Sequence, residues 1–133
     1  MKHNRSMPPG TVIPEIPYPD VAEAAAWLCA AFGFTERLRI ADHRCQISVG
    51  DGSVVAVQAR PGFGKNSLMV RVEDVDAHYE RALQFGVRVS GRPNTFAYGE
   101  RQYTAQDLAG HYWTFSQSVS DIDPAEWGGQ LLC

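Results

Sequence analysis

The chain repeats itself at half length, and that repeat limits what it can fold into. Ile16-Pro17-Tyr18-Pro19-Asp20-Val21 leads into an alanine-rich helical pattern that stops at Phe32-Gly33. Val70-Arg71-Val72-Glu73-Asp74-Val75 leads into a second that stops at Phe85-Gly86. Each copy is a strand, an Asp, a helix of similar length and a Phe-Gly stop, followed by short strand-like runs. Self-similarity of this kind marks two copies of one supersecondary unit packed together. The unit reads β-α-β-β-β. The expected class is α+β, two such units forming a curved mixed sheet whose concave face is the place for a ligand.

The spacing sets the boundaries. Residues 1–10 read as a flexible arm, 11–118 as a single domain built from units 11–60 and 67–117, and 119–133 as a C-terminal tail. Thr11 to Tyr18 reads as a strand despite Pro14 and Pro17. Proline cannot donate to a ladder, so this strand belongs at an edge or beside a junction. Asp20 is a good N-cap with Glu23 three positions on, and Val21, Ala25, Leu28 and Phe32 form one apolar stripe. In the second copy Asp74 or Asp76 is the cap, and Val75, Tyr79, Ala82 and Leu83 form the stripe. Cys45, Ile47 and Val49 alternate with Arg44, Gln46 and Ser48, the pattern of a strand with one polar face. Gly91 to Gly99 reads as a long loop and a candidate lid. Trp127 stands in a polar tail and should dock on the body or on a second subunit.

Composition excludes several functions. The net charge is −3 with no basic cluster, so nucleic-acid binding is not expected. No apolar run approaches the length that spans a bilayer. The first ten residues are polar and proline-bearing, without the apolar core of a signal peptide, so a cytoplasmic location is expected. Cys29, Cys45 and Cys133 are odd in number and lack C-x-x-C spacing, which argues against a disulfide framework or a zinc knuckle. His3, His43, His78 and His111 form no i, i+4 or H-x-H pair, and each reads as exposed or structurally hydrogen-bonded. Gly62-Phe63-Gly64-Lys65 lacks the phosphate-loop spacing and opens no helix; it is a linker turn.

The paired units resemble the vicinal-oxygen-chelate superfamily, which holds glyoxalase I, bleomycin-resistance proteins, fosfomycin-resistance transferases and extradiol dioxygenases. The match is carried by the segments around Asp20 and Asp74. It is carried also by a closing hairpin, Tyr98-Gly99-Glu100-Arg101-Gln102-Tyr103 to Gly110-His111-Tyr112-Trp113-Thr114-Phe115, similar to a glyoxalase-like branch. Metal enzymes of the superfamily carry a His on the first strand of each unit and a Glu on the closing strand. The matching positions here are Ile13, Ser67 and Thr114, with Gln58 a candidate for the fourth. Isoleucine binds no metal and neutral hydroxyls are poor ligands for divalent ions. No metal and no cofactor are therefore expected.

Alternation then chooses the lining. With Thr114 inward, Tyr112 and Ser116 share its face, while Trp113 and Phe115 turn to the helices. Family pairing adds Glu100, Gln102 and Thr104, with Arg101, Tyr103 and Ala105 on the helix side. Ile13, Glu15 and Pro17 share a face of the first strand. The expected ligand-binding residues are Glu15, Ser67, Glu100, Gln102, Thr104, Tyr112 and Thr114; no catalytic residue is assigned. Glu15 and Glu100 stand as an acid–base pair, as a seat for a cation, or as groups too far apart to interact. Three functions stay open. One is a metal-independent small-molecule binding protein. Another is a metal-dependent lyase, isomerase or dioxygenase with an altered site. The third is a ligand-free dimeric interaction module. The resemblance implies a homodimer.

Overall fold

The computed structural model describes residues 2–132. Met1, the first residue of the arm, and Cys133, the third cysteine, lie outside the described residues. The elements are β1 (Glu15–Tyr18), α1 (Val21–Phe32), β2 (Thr35–Ile40), β3 (Arg44–Val49), β4 (Gly52–Gln58), β5 (Ser67–Arg71), α2 (Val75–Phe85), β6 (Arg88–Val89), β7 (Asn94–Thr95), β8 (Glu100–Gln106), β9 (Tyr112–Ser118) and a short 3-10 turn at Pro124–Trp127. This is an α+β fold with a four-stranded and a five-stranded mixed sheet. Among the described residues no helix is long and apolar enough to cross a membrane. The chain divides into two compact units, residues 1–66 with 108–111, and residues 67–107 with 112–133.

The first unit holds a sheet in the order β1-β4-β3-β2, with β1 parallel to β4. Pro17 is tolerated because β1 is an edge strand. The Asp20 side chain accepts from the Glu23 amide, and Gly33 closes the helix at φ +79°. The stripe Val21, Ala25, Leu28 and Phe32 is buried, against Ile16, Cys45, Ile47 and Ala56 from the helix-facing side of the sheet. The polar side of β3 departs from simple alternation, because Gln46 is buried too. Its amide donates to the Ser6 carbonyl and accepts from Arg37. Arg37 also donates to the Arg5 carbonyl, and Ser53 to that of Pro9. Residues 5–9 thus lie as a strap on the sheet face opposite α1, and Pro8 within it is buried.

The second unit repeats the plan. β5 lies parallel to β9 in the order β5-β9-β8-β6, with β7 also on β8. Asp74, not Asp76, caps α2: it accepts from the Ala77 amide, while Asp76 pairs with Arg101 at 3.0 Å. Val75 and Ala82 are buried, but Leu83 is exposed. The remaining core-facing position goes to His78, whose ring centroid lies 4.0 Å from that of Phe115 and whose Nδ1 is 2.5 Å from the Tyr103 hydroxyl. Positions 75, 78 and 82 follow the i, i+3, i+7 spacing of one helical face, so the half-polar His78, not Leu83, completes the stripe. The segment 91–99 is not wholly loop. Asn94 and Thr95 pair with Gln102 and Arg101 as β7. Phe96 stacks on Tyr98, and Trp127 of the tail packs on Tyr98 at 5.3 Å.

Candidate ligand face on the second unit

Burial alternates along β8 and β9. Tyr103, Ala105, Trp113 and Phe115 are buried on the α2 side, and Trp113 exposes 0% of its surface. Its indole Nε1 donates to the Asp107 carboxylate at 3.0 Å, which satisfies the one polar atom of a large buried ring. Their neighbours must face the other way. Register places Gln106 opposite Tyr112, Thr104 opposite Thr114 and Gln102 opposite Ser116. On the far side of β9, Ser67, Met69 and Arg71 stand beside Tyr112, Thr114 and Ser116.

These side chains are joined in cross-strand pairs. Gln106 Nε2 donates to the Tyr112 hydroxyl at 2.8 Å. The Thr104 and Thr114 hydroxyls are 2.9 Å apart. Gln102 Nε2 donates to Ser116 Oγ at 3.0 Å, Ser116 donates to Glu100 at 2.6 Å, and Tyr98 donates to Gln102 Oε1 at 3.1 Å. The hydroxyl bonds from Ser116 and Ser118, with the nearby Arg71 charge, hold the Glu100 carboxyl below its ordinary value. Glu100 is therefore held as a carboxylate and is not poised as a general acid, which would need a raised pKa. At the Tyr112 end a recess of about 160 Å³ is lined by Arg88, Val89, Ser90, Thr104, Ala105, Gln106 and Tyr112.

Of the seven residues expected to bind a ligand, Ser67, Glu100, Gln102, Thr104, Tyr112 and Thr114 belong to the second unit and share this face. Glu15 belongs to the first, where it pairs with Arg44 at 2.7 Å. Sequence reasoning missed Met69 on the edge strand β5, which exposes 67% of its surface opposite Thr114; Tyr112, two residues along β9, exposes 43%. Extending the Ser67 alternation by two residues would have found Met69.

Taken one by one, the residues at the positions the resemblance marks are poor ligands for a divalent metal. Thr114 already spends its hydroxyl on Thr104, Ser67 offers a neutral oxygen, and Ile13 offers none. Gln58 Nε2 donates to the Pro19 carbonyl at 2.8 Å, and its Oε1 is a single neutral amide oxygen. Among the described residues no three His, Cys, Asp or Glu side chains are grouped to hold an ion. His111 is buried in the first unit with both ring nitrogens engaged: Nδ1 accepts from the Asn66 amide at 2.8 Å, so Nε2 carries the proton donated to the Pro17 carbonyl at 2.7 Å.

The sequence profile of the Glyoxalase/Bleomycin resistance protein/Dioxygenase superfamily matches residues 11–115. The chain belongs to this superfamily. Among solved structures of similar fold, TioX from Micromonospora sp. ML1 is 27% identical with a TM-score of 0.73, covering 86% of this chain and 100% of its own. A glyoxalase/bleomycin resistance protein/dioxygenase from Nocardioides is 13% identical, TM-score 0.70, covering 95% and 91%. A lactoylglutathione lyase from Agrobacterium tumefaciens is 16% identical, TM-score 0.69, covering 84% and 96%. The last two likenesses establish the glyoxalase-like fold alone. No curated protein matches the chain.

Proposed function

We propose that this superfamily member is a metal-independent small-molecule binding protein, with its ligand on the second unit's face opposite α2. One observation carries the reading. At the position where the resemblance puts the metal-binding Glu stands Thr114, neutral and already paired with Thr104. The face also suits a ligand. Tyr112 and Met69 offer apolar surface, while the rims of the ladder, Glu100, Gln102, Gln106 and Ser67, offer hydrogen-bonding groups. Sites of this make-up fix a flat molecule by its faces and orient it by its edges. Glu15, in the first unit, has its charge met by Arg44 and is not needed for this contact. The reading includes a homodimer, as the family resemblance implies, acting in the cytoplasm with Cys29 and Cys45 as thiols.

The test is a fragment screen followed through the methyl resonance of Met69 in the full chain. Ligands that shift Met69 should lose affinity in Tyr112→Phe while the melting temperature stays unchanged. A screen in which no compound moves Met69, or turnover of the methylglyoxal–glutathione hemithioacetal by metal-loaded protein, would favour the lyase reading instead.

A further inference from the structure

The first unit carries a separate cavity that the ligand reading above does not use. It has a volume of about 290 Å³ and lies among Glu15, Pro17, Arg44, Val57, Arg60, Phe63 and Asn66. Register fixes its place. Pro17 pairs with Val57, and Val57 with Arg44, on the sheet face opposite α1, whose helix side is Ile16, Ala56 and Cys45. The strap of residues 5–9 covers the same face at Gln46 and Ser53 and leaves this end open. The linker 60–66 forms the remaining wall.

Charge decides what the cavity takes. Its two arginines outnumber its one glutamate, although the whole chain carries −3. Glu15 and Arg44 satisfy one another at 2.7 Å. Arg60 has no ion pair among the described residues; its guanidinium carbon lies 5.4 Å from the centre of the Phe63 ring. A guanidinium laid on an aromatic face keeps its planar fork of donors for a bidentate carboxylate. Pro17, Val57 and the Phe63 ring supply apolar walls. Gly62 and Gly64 leave backbone bare, since a Cβ at either would meet nothing within 4 Å. The volume sits at the low end for ligand pockets, which run from about 300 Å³ upward, and fits one ring rather than a large ligand.

We infer that this cavity binds a small aromatic carboxylate, its ring between Phe63 and the Val57–Pro17 floor and its carboxylate on Arg60. The inference stands on the first unit alone and survives failure of the ligand reading for the second.

The test is a titration of the ¹⁵N-labelled full chain with benzoate, benzamide and inorganic phosphate, followed by amide shifts. Benzoate should move Gly62, Phe63, Gly64 and Asn66 and leave Gln102 and Thr114 in place. Benzamide, which keeps the ring and loses the charge, should bind about tenfold more weakly or worse, as should benzoate to Arg60→Gln, the scale of one lost charge-assisted hydrogen bond. Phe63→Ala should weaken benzoate as well. Arg60 and Phe63 are both exposed, so these variants should keep the wild-type spectrum elsewhere. Benzamide binding as well as benzoate, phosphate binding as tightly as benzoate, or shifts confined to the second unit would each overturn the assignment.

Discussion

Thr104 and Thr114 face each other across β8 and β9 with their hydroxyl oxygens 2.9 Å apart. The pair occupies the place where a metal enzyme of this fold would be expected to hold a carboxylate. In the proposed reading a cross-strand contact between two hydroxyls stands there instead of an ion ligand. Such pairs contribute about 0.2–1 kcal/mol. Thr114→Val should therefore destabilise the protein by about 1 kcal/mol, because Thr104 is left without its partner. Adding Thr104→Val should recover part of that loss. A double-mutant cycle by urea unfolding measures the coupling.

Trp113 should dominate the stability of the second unit. The ring is wholly buried beside Phe115 and opposite Ala105. Trp113→Ala should cost about 3–5 kcal/mol. Asp107→Ala should cost about 1–3 kcal/mol, since it strips the indole N–H of its acceptor. Denaturant midpoints at constant slope check both values.

His111 should exist as a single neutral tautomer protonated at Nε2, because Nδ1 must receive the Asn66 amide. Nitrogen NMR of the ring reads this directly. His111→Leu should destabilise by about 2 kcal/mol, the two lost hydrogen bonds at about 1 kcal/mol each, and the Asn66 and Pro17 segments should lose hydrogen-exchange protection.

Glu100 gives the protein part of its acid sensitivity. Its folded pKa lies below the ordinary carboxylate value, chiefly through the Ser116 hydroxyl. Its contribution is therefore full above the unfolded pKa and is lost as pH falls through the folded one. Glu100→Gln should flatten the decline of stability with falling pH in the acid range and change the slope little near neutrality. Melting temperatures from pH 7 down to pH 3 test the sign.

The repeat was the most legible part of the chain because each copy carries its own punctuation. Asp20 and Asp74 cap helices that Gly33 and Gly86 close, and both glycines adopt the positive φ such stops require. The face of the second unit was legible for a similar reason: Trp113 and Phe115 could only be core, and alternation placed their neighbours. What failed depended on long-range partners. His78 takes a core position because the Tyr103 hydroxyl, twenty-five residues away, shares a hydrogen bond with its ring Nδ1. Gln46 is buried because a segment forty residues earlier lies over it. The strand at Asn94–Thr95 has no hydrophobic pattern; it pairs with β8 through the ladder and through the Arg101 guanidinium, which donates to the Thr95 hydroxyl at 3.2 Å. The cavity of the first unit has no local pattern in the sequence, because its lining comes from β1, β3, β4 and the 60–66 linker, segments far apart along the chain.

The most direct test is a calorimetric titration of the untagged, chelator-treated full chain with zinc and nickel. Heats indistinguishable from dilution, up to millimolar metal, agree with a site in which Thr114 replaces the ligand and is occupied by Thr104. Saturable binding of one ion per chain at micromolar concentration or tighter would contradict the account and return the protein to the metal-dependent branch of its superfamily.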